Sequence, residues 1–209
     1  PGRFVDYGCG SGALLARVAA AGVEAIGFDL DSDGVEAASI TSGCRVHSIA
    51  DVRMHIATAD VVHLGDVLEH VPDPEVVLGQ ACSLLRPGGL LLAEGPLEAN
   101  LSVFNGVIAI ASLARGRKPT DTPPHHVHLA TARGQRRLFQ RAGMTQLEFE
   151  TSDIAWPAPE RWTRDVAVSP RLLALFLVRR FSTVVRNIVP SRSSERMSNR
   201  FRYSGTTPI

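Results

Sequence analysis

The nine residues FVDYGCGSG, Phe4 to Gly12, place one acidic side chain two positions ahead of three alternating glycines. That pattern suits chemistry in which the backbone itself must approach a ligand. Gly8 and Gly10 allow a tight turn with no Cβ in the way, and a helix opening after Gly12 presents its unpaired first-turn N–H groups. Such a cradle suits a nucleotide. The Asp6 carboxylate adds a discriminating detail: a dinucleotide needs room there for its pyrophosphate, whereas an acidic group just upstream suits a ligand that carries an ammonium. Spacing alone does not separate the two, because Gly8, Gly10 and Ala13 also satisfy the dinucleotide fingerprint G-x-G-x-x-G/A.

A cradle of this kind must sit at the end of a strand, and strand and helix patterns alternate throughout the first half of the chain. RFVDYG precedes GALLARVAAAG, EAIGFDLD precedes GVEAASITSG, RVHSIAD follows, and DVVHLGD precedes PEVVLGQACSLLR and GGLLLAEGP. Short apolar strands separated by helices predict an α/β fold, a doubly wound and mostly parallel sheet with right-handed crossovers. Gly22 and Gly43 are expected to stop helices, Asp33 and Glu36 to form a capping box, and Asp73 with Pro74 to open a helix. Pro87, Gly88 and Gly89 are expected to end that helix and turn the chain into the next strand.

Leu101 to Lys118 then reads as an apolar helical insert, either packed on the core or lying as a lid over an apolar pocket. A proline-rich loop follows, then a helix over Thr131 to Ala142 and a strand in TQLEFETSDIAW. Arg171 to Val189 has helical spacing of apolar residues with interleaved Arg, which suits docking on the sheet or contact with an anionic membrane surface. The residues 191–209 are polar and expected to be poorly ordered, although RFRY within them is a candidate return strand. The organisation expected is therefore a domain over 1–155, with the insert at 101–118, and a basic extension over 156–209.

With 209 residues, 44% apolar and 21% charged, the chain is expected to form one main core. Net charge is +1, but 165–209 carries eight Arg against Asp165 and Glu195. Cys9, Cys44 and Cys82 form no pairable framework, so no disulfide is expected and a cytoplasmic setting fits. No apolar run reaches the length of about 20 residues that a membrane span needs. The chain opens at Pro1 and enters its first strand almost at once, as a trimmed chain would.

Taken together, these motifs resemble the class I S-adenosylmethionine-dependent methyltransferases. The resemblance rests on Asp6 ahead of Gly8, Gly10 and Gly12, on Asp29 ending the second strand in GFDLD, and on Asp51 after the third strand in IADV. DVLEHVPDP (66–74) and LLRPGG (84–89) are similar to the small-molecule subfamily that includes the ubiquinone-pathway O-methyltransferases. The likeness is good over Arg3 to Pro96, weaker over 126–144, and absent from Ala155 onward.

The resemblance implies a Rossmann-like methyltransferase fold with S-adenosylmethionine as cofactor. Gly8, Cys9, Gly10 and Gly12 would close on its methionine part and Asp6 would meet its ammonium. Asp29 would accept from the ribose hydroxyls, and Leu30 would cover the adenine ring. Asp51 and the Val52 N–H would read the adenine edge, and Leu64 would lie beside the sulfonium. The reaction implied is in-line displacement at the methyl carbon by a small-molecule acceptor, with oxygen the expected nucleophile and nitrogen or carbon left open, His70 either the candidate base or a histidine that orders its loop, and His126 and His128 facing the acceptor. The apolar insert and the basic tail together suit a lipophilic acceptor.

The triad His125, His126 and His128 could converge on a metal ion, but no neighbouring Asp, Glu or Cys set completes a site, and no metal is expected. The GDVLEH motif argues against nucleic-acid bases as substrate, and no nucleic-acid partner is expected. Peripheral membrane contact through the basic helix is the partner expectation at the surface, and removing Arg171 to Ile209 is expected to end it without loss of cofactor affinity. Two alternatives remain open: a nicotinamide-dependent oxidoreductase, and a methyltransferase-like scaffold without turnover.

Overall fold

Alternation of buried and polar positions is weak in the first strands because both faces of a parallel sheet are covered. Val5, Asp6 and Tyr7 are consecutive buried residues in β1 (Arg3–Tyr7), as are Ala25 to Phe28 in β2 (Glu24–Asp29). The computed structural model describes residues 2–114, 116, 126–152, 159, 161–188 and 195–208. Two compact units are built from them. The first comprises Pro1–Gly95, Arg136–Phe149 and Arg202–Ile209, and the second Pro96–Gln135 and Glu150–Phe201.

Chain order continues with α1 (Ala13–Ala20), α2 (Ser32–Ser42), β3 (Arg45–Ser48) and a 3-10 turn over Ile49–His55. After β4 (Ala59–Gly65) come α3 (Pro74–Leu84), β5 (Leu85–Pro96), α4 (Val103–Ala114), α5 (Ala132–Arg141) and β6 (Thr145–Ser152). α6 (Arg164–Val168), α7 (Pro170–Ile188) and β7 (Arg200–Thr206) complete it. The strands form one seven-stranded sheet in the order β3-β2-β1-β4-β5-β7-β6. The pairs β1/β2, β1/β4, β2/β3 and β4/β5 are parallel. The chain therefore winds outward from β1 to β3 and restarts at β4 on the other side of β1. That switch point opens a crevice at the carboxyl ends of β1 and β4, where ligands bind in open α/β sheets.

Helix punctuation follows local chemistry with two corrections. Asp73 accepts from the N–H groups of Glu75 and Val76 with Pro74 behind it, and Gly43 ends α2 at φ 66°, as expected. The cap of α2 is Asp31, which accepts from the Gly34 N–H, rather than Asp33 in a capping box; Asp31 is extended, and the helix starts at Ser32. Nor do Pro87, Gly88 and Gly89 end α3. The helix stops at Leu84 and these residues bulge within β5, whose register jumps from Ala59↔Leu85 to Val61↔Leu90. The bulge is pinned by the residues that follow β7, where Gly88 N–H donates to the Pro208 carbonyl and Thr207 N–H to that of Gly89.

The expectation of a poorly ordered 191–209 fails at β7, the strand that RFRY only suggested. Phe201 and Tyr203 are buried there, Tyr203 stacks on Phe139 of α5 at 3.8 Å, and its ring lies over Gly205. Alternation of apolar and polar side chains over Arg200–Thr206 is the half-buried strand signal, and it outweighs the polar composition of the segment.

In the second unit, α4 and α6 pack on α7, and Asn100 ties the unit together. Its amide donates to the carbonyls of Glu195 and Ser198, and its oxygen accepts from the Ala132 N–H. α4 lies within the insert expected at 101–118, of which 115, 117 and 118 fall outside the described residues.

Candidate active site

The cradle is suspended from β2. Both Gly8 and Cys9 donate N–H groups to the Phe28 carbonyl at 2.8 and 3.1 Å, and Gly12 N–H returns to the Cys9 carbonyl at 2.9 Å. Gly8, Gly10 and Gly12 all take left-handed φ values of 80°, 52° and 76°. Each glycine has a different reason to lack a side chain. A Cβ on Gly8 would meet Val67 at 2.6 Å and one on Gly12 the Ala38 carbonyl at 2.7 Å, but one on Gly10 would meet nothing within 4 Å among the described residues. Space is therefore kept open over Gly10 while its two neighbours are close-packed. Gly12 caps α1 with no side-chain hydrogen bond, which leaves the first turn to a ligand or water.

Asp29 closes the side of the cradle. Its carboxylate accepts from Gly10 N–H and from Leu30 N–H, each at 2.8 Å, one through each oxygen. Every carboxylate oxygen has a second lone pair, so the group can still accept two hydroxyls. Leu30 stands 80% exposed beside it, an apolar side chain at the rim. Asp51 and Val52 lie in the 3-10 turn after β3, with Asp51 half-buried and Val52 buried. Leu64, at the end of β4, is buried, and Asp66 follows with φ 52°, so the chain turns sharply out of the strand above the crevice.

Asp6 is 4% exposed and its Oδ1 lies 2.8 Å from His63 Nδ1. Nothing in the sequence around His63 signals this pair, since the residue sits in an ordinary strand pattern. Only the parallel register, which sets Asp6 opposite His63, brings the two together. The Cys9 thiol is pushed up to about 12 by burial, then by the charges of Asp29 and Asp6. A thiol held there is no nucleophile at neutral pH. The Asp29 and Asp6 carboxylates that add to the shift place two acidic side chains beside the cradle.

The structure thus gathers Asp6, Gly8, Cys9, Gly10, Gly12, Asp29, Leu30, Asp51, Val52 and Leu64 in the first unit, around the carboxyl ends of β1, β2, β3 and β4. His70 belongs to that unit too, exposed on the segment after β4, with its N–H donating to the Val67 carbonyl. His126 and His128 belong to the second unit, where His126 Nδ1 is 2.7 Å from Glu98 Oε2. His125 lies outside the described residues. The open face of Gly10 beside the Asp29 carboxylate fits the ribose and methionine parts of S-adenosylmethionine, and the Asp6 carboxylate fits its ammonium.

Residues 1–148 match the methyltransferase domain family. The chain belongs to the class I S-adenosylmethionine-dependent methyltransferases. This methyltransferase is 38% identical over 177 residues to the ubiquinone biosynthesis O-methyltransferase of Xanthomonas axonopodis, covering 81% of the chain and 71% of the relative. It is 30% identical over 156 residues to the protein of the same name from Brucella anthropi, covering 68% of the chain and 63% of that relative. The methyltransferase therefore spans roughly two thirds of these relatives' lengths. Its fold is also that of an S-adenosylmethionine-dependent methyltransferase from Archaeoglobus fulgidus, with TM-score 0.62 at 16% identity over 98% of this chain and 86% of that one.

Proposed function

We propose that the methyltransferase holds S-adenosylmethionine in this cradle and directs its methyl group to an oxygen nucleophile on a small, lipophilic acceptor. The observation that carries the reading is the open, left-handed Gly10 with the Asp29 carboxylate fixed against its N–H. When bound, the cofactor supplies a methyl group activated by the sulfonium. The chain's own residues bind and orient: Asp29 takes the ribose hydroxyls, Asp6 the ammonium, and Leu30 covers the adenine face. Asp51 accepts from the adenine amino group and Val52 N–H donates to a ring nitrogen, while Leu64 lies beside the sulfonium. Much of the rate enhancement then comes from alignment of the acceptor oxygen for in-line attack. His70 is assigned the role of drawing the hydroxyl proton, and His126 and His128 that of contacting the acceptor.

Oxygen as the nucleophile and a quinone-pathway acceptor are supported by the names of the two relatives. Transfer of isotopically labelled methyl from S-adenosylmethionine to phenols with and without a lipid tail tests this, and the tailed phenol is expected to be the better acceptor. Labelling of amines only would overturn the choice of oxygen.

No helix among the described residues is long and apolar enough to cross a membrane. Along α7, however, Leu177, Phe181, Val184 and Ile188 are all exposed at helical spacing, with Arg180 exposed beside them. An apolar stripe flanked by Arg fits the surface of an anionic bilayer, which would bring the enzyme to a lipophilic acceptor. Removing Arg171 to Ile209 cannot test this, since it also removes β7. The pair Leu177→Ser and Phe181→Ser is expected to weaken sedimentation with anionic phospholipid vesicles about tenfold, given the apolar area each side chain contributes. Affinity for S-adenosylhomocysteine should be unchanged. Failure of the unaltered chain to bind vesicles would dispose of the proposal.

A further inference from the structure

The contact between Asp6 and His63 is supported from three sides. The strands β1 and β4 set the two residues opposite one another, and their side chains are only 5% and 17% exposed. A carboxylate oxygen accepts, so Nδ1 carries the ring proton toward Oδ1. Phe4, two residues before Asp6 on the same face of β1, stacks against the imidazole with ring centres 6.2 Å apart. The third support is Gly65, two residues after His63 on the same face of β4. A Cβ at Gly65 would lie 2.6 Å from His63 Cε1 and 3.2 Å from Nε2. Gly65 is not among the glycines with positive φ, so its backbone conformation does not call for glycine. The position of the imidazole does.

We propose that His63 is a positioning residue for the cofactor, and that Gly65 is part of the same device. The imidazole holds one oxygen of Asp6 and thereby aims the other at the ammonium of the methionine part. Gly65 leaves the room in which the ring lies. This rests on the reading of Asp6 given under the proposed function, and the experiment separates the two.

S-adenosylhomocysteine and 5′-methylthioadenosine share the adenosine and the sulfur, but only the former has the ammonium-bearing tail. Their dissociation constants, measured on one preparation, give a ratio from which any unfolded fraction cancels. His63→Leu and Gly65→Ala are each expected to weaken S-adenosylhomocysteine about tenfold, the scale of one charge-assisted hydrogen bond, and to leave methylthioadenosine unchanged. In the His63→Leu background, Gly65→Ala is expected to have no further effect, because no ring remains to be displaced. If His63→Leu does not fold, Gly65→Ala alone decides. Equal loss of both ligands, or loss of neither, would overturn the positioning role. Asp6→Asn is the control: if it leaves S-adenosylhomocysteine binding intact, the assignment of Asp6 fails. If Asp6→Asn is selective for the tailed ligand and the other two variants are not, only the role of His63 and Gly65 fails.

Discussion

Removal of Arg200–Ile209 is expected to yield a chain that does not fold to a stable sheet. β7 is an interior strand between β5 and β6, so its loss leaves β6 without a neighbour and removes Phe201 and Tyr203 from the core. Truncating a buried aromatic costs about 3–5 kcal/mol, and two such losses consume most of a typical stability of about 5–15 kcal/mol. Two point variants sharpen the test. Tyr203→Ala is expected to lower the melting temperature by roughly 10 °C, at about 2–4 °C per kcal/mol for a chain of this size. Tyr203→Phe is expected to equal or exceed the parent, because the buried hydroxyl has no hydrogen-bond partner among the described residues and the stacking on Phe139 is retained. A melting temperature unchanged by Tyr203→Ala, measured by calorimetry or circular dichroism, would mean that β7 does not carry the edge of the sheet.

At the site, Asp29→Ala should have the largest effect on ligand affinity. The substitution removes the acceptor for both ribose hydroxyls and frees the Gly10 N–H that the carboxylate now fixes. Hydrogen bonds to charged groups contribute about 1.5–3 kcal/mol each, so a loss of about 3 kcal/mol is expected, roughly a 100-fold rise in the dissociation constant of S-adenosylhomocysteine. Stability should change little, because both backbone groups are exposed and can turn to water. Asp29→Asn keeps one acceptor oxygen and should fall between. Titration calorimetry gives both constants, and unchanged binding by Asp29→Ala would mean that the ribose contact is wrongly placed.

Most of the cradle was legible because its signals are local. Three alternating glycines, an acidic residue at each strand end, and the Asp73–Pro74 opening of α3 depend only on near neighbours in the chain. The α2 cap was misplaced by two residues because Asp31 and Asp33 are both good caps, and only the extended backbone at Asp31 decides between them. The PGG run in β5 reads as a break, yet in the sheet it is a bulge held by residues more than a hundred positions away. β7 and the Asp6–His63 pair share that difficulty. Each is made by strand order and register, which periodicity within one segment does not specify.

Thermal unfolding measured side by side with S-adenosylhomocysteine, NAD and NADP tests the cradle assignment most directly. At one hundred times its dissociation constant, a ligand adds about 2.7 kcal/mol to stability. For a chain of this size that is roughly 5–10 °C. A shift of that order with S-adenosylhomocysteine, and none with either dinucleotide, is the predicted result. A shift with a dinucleotide alone, or no shift with S-adenosylhomocysteine, would contradict it.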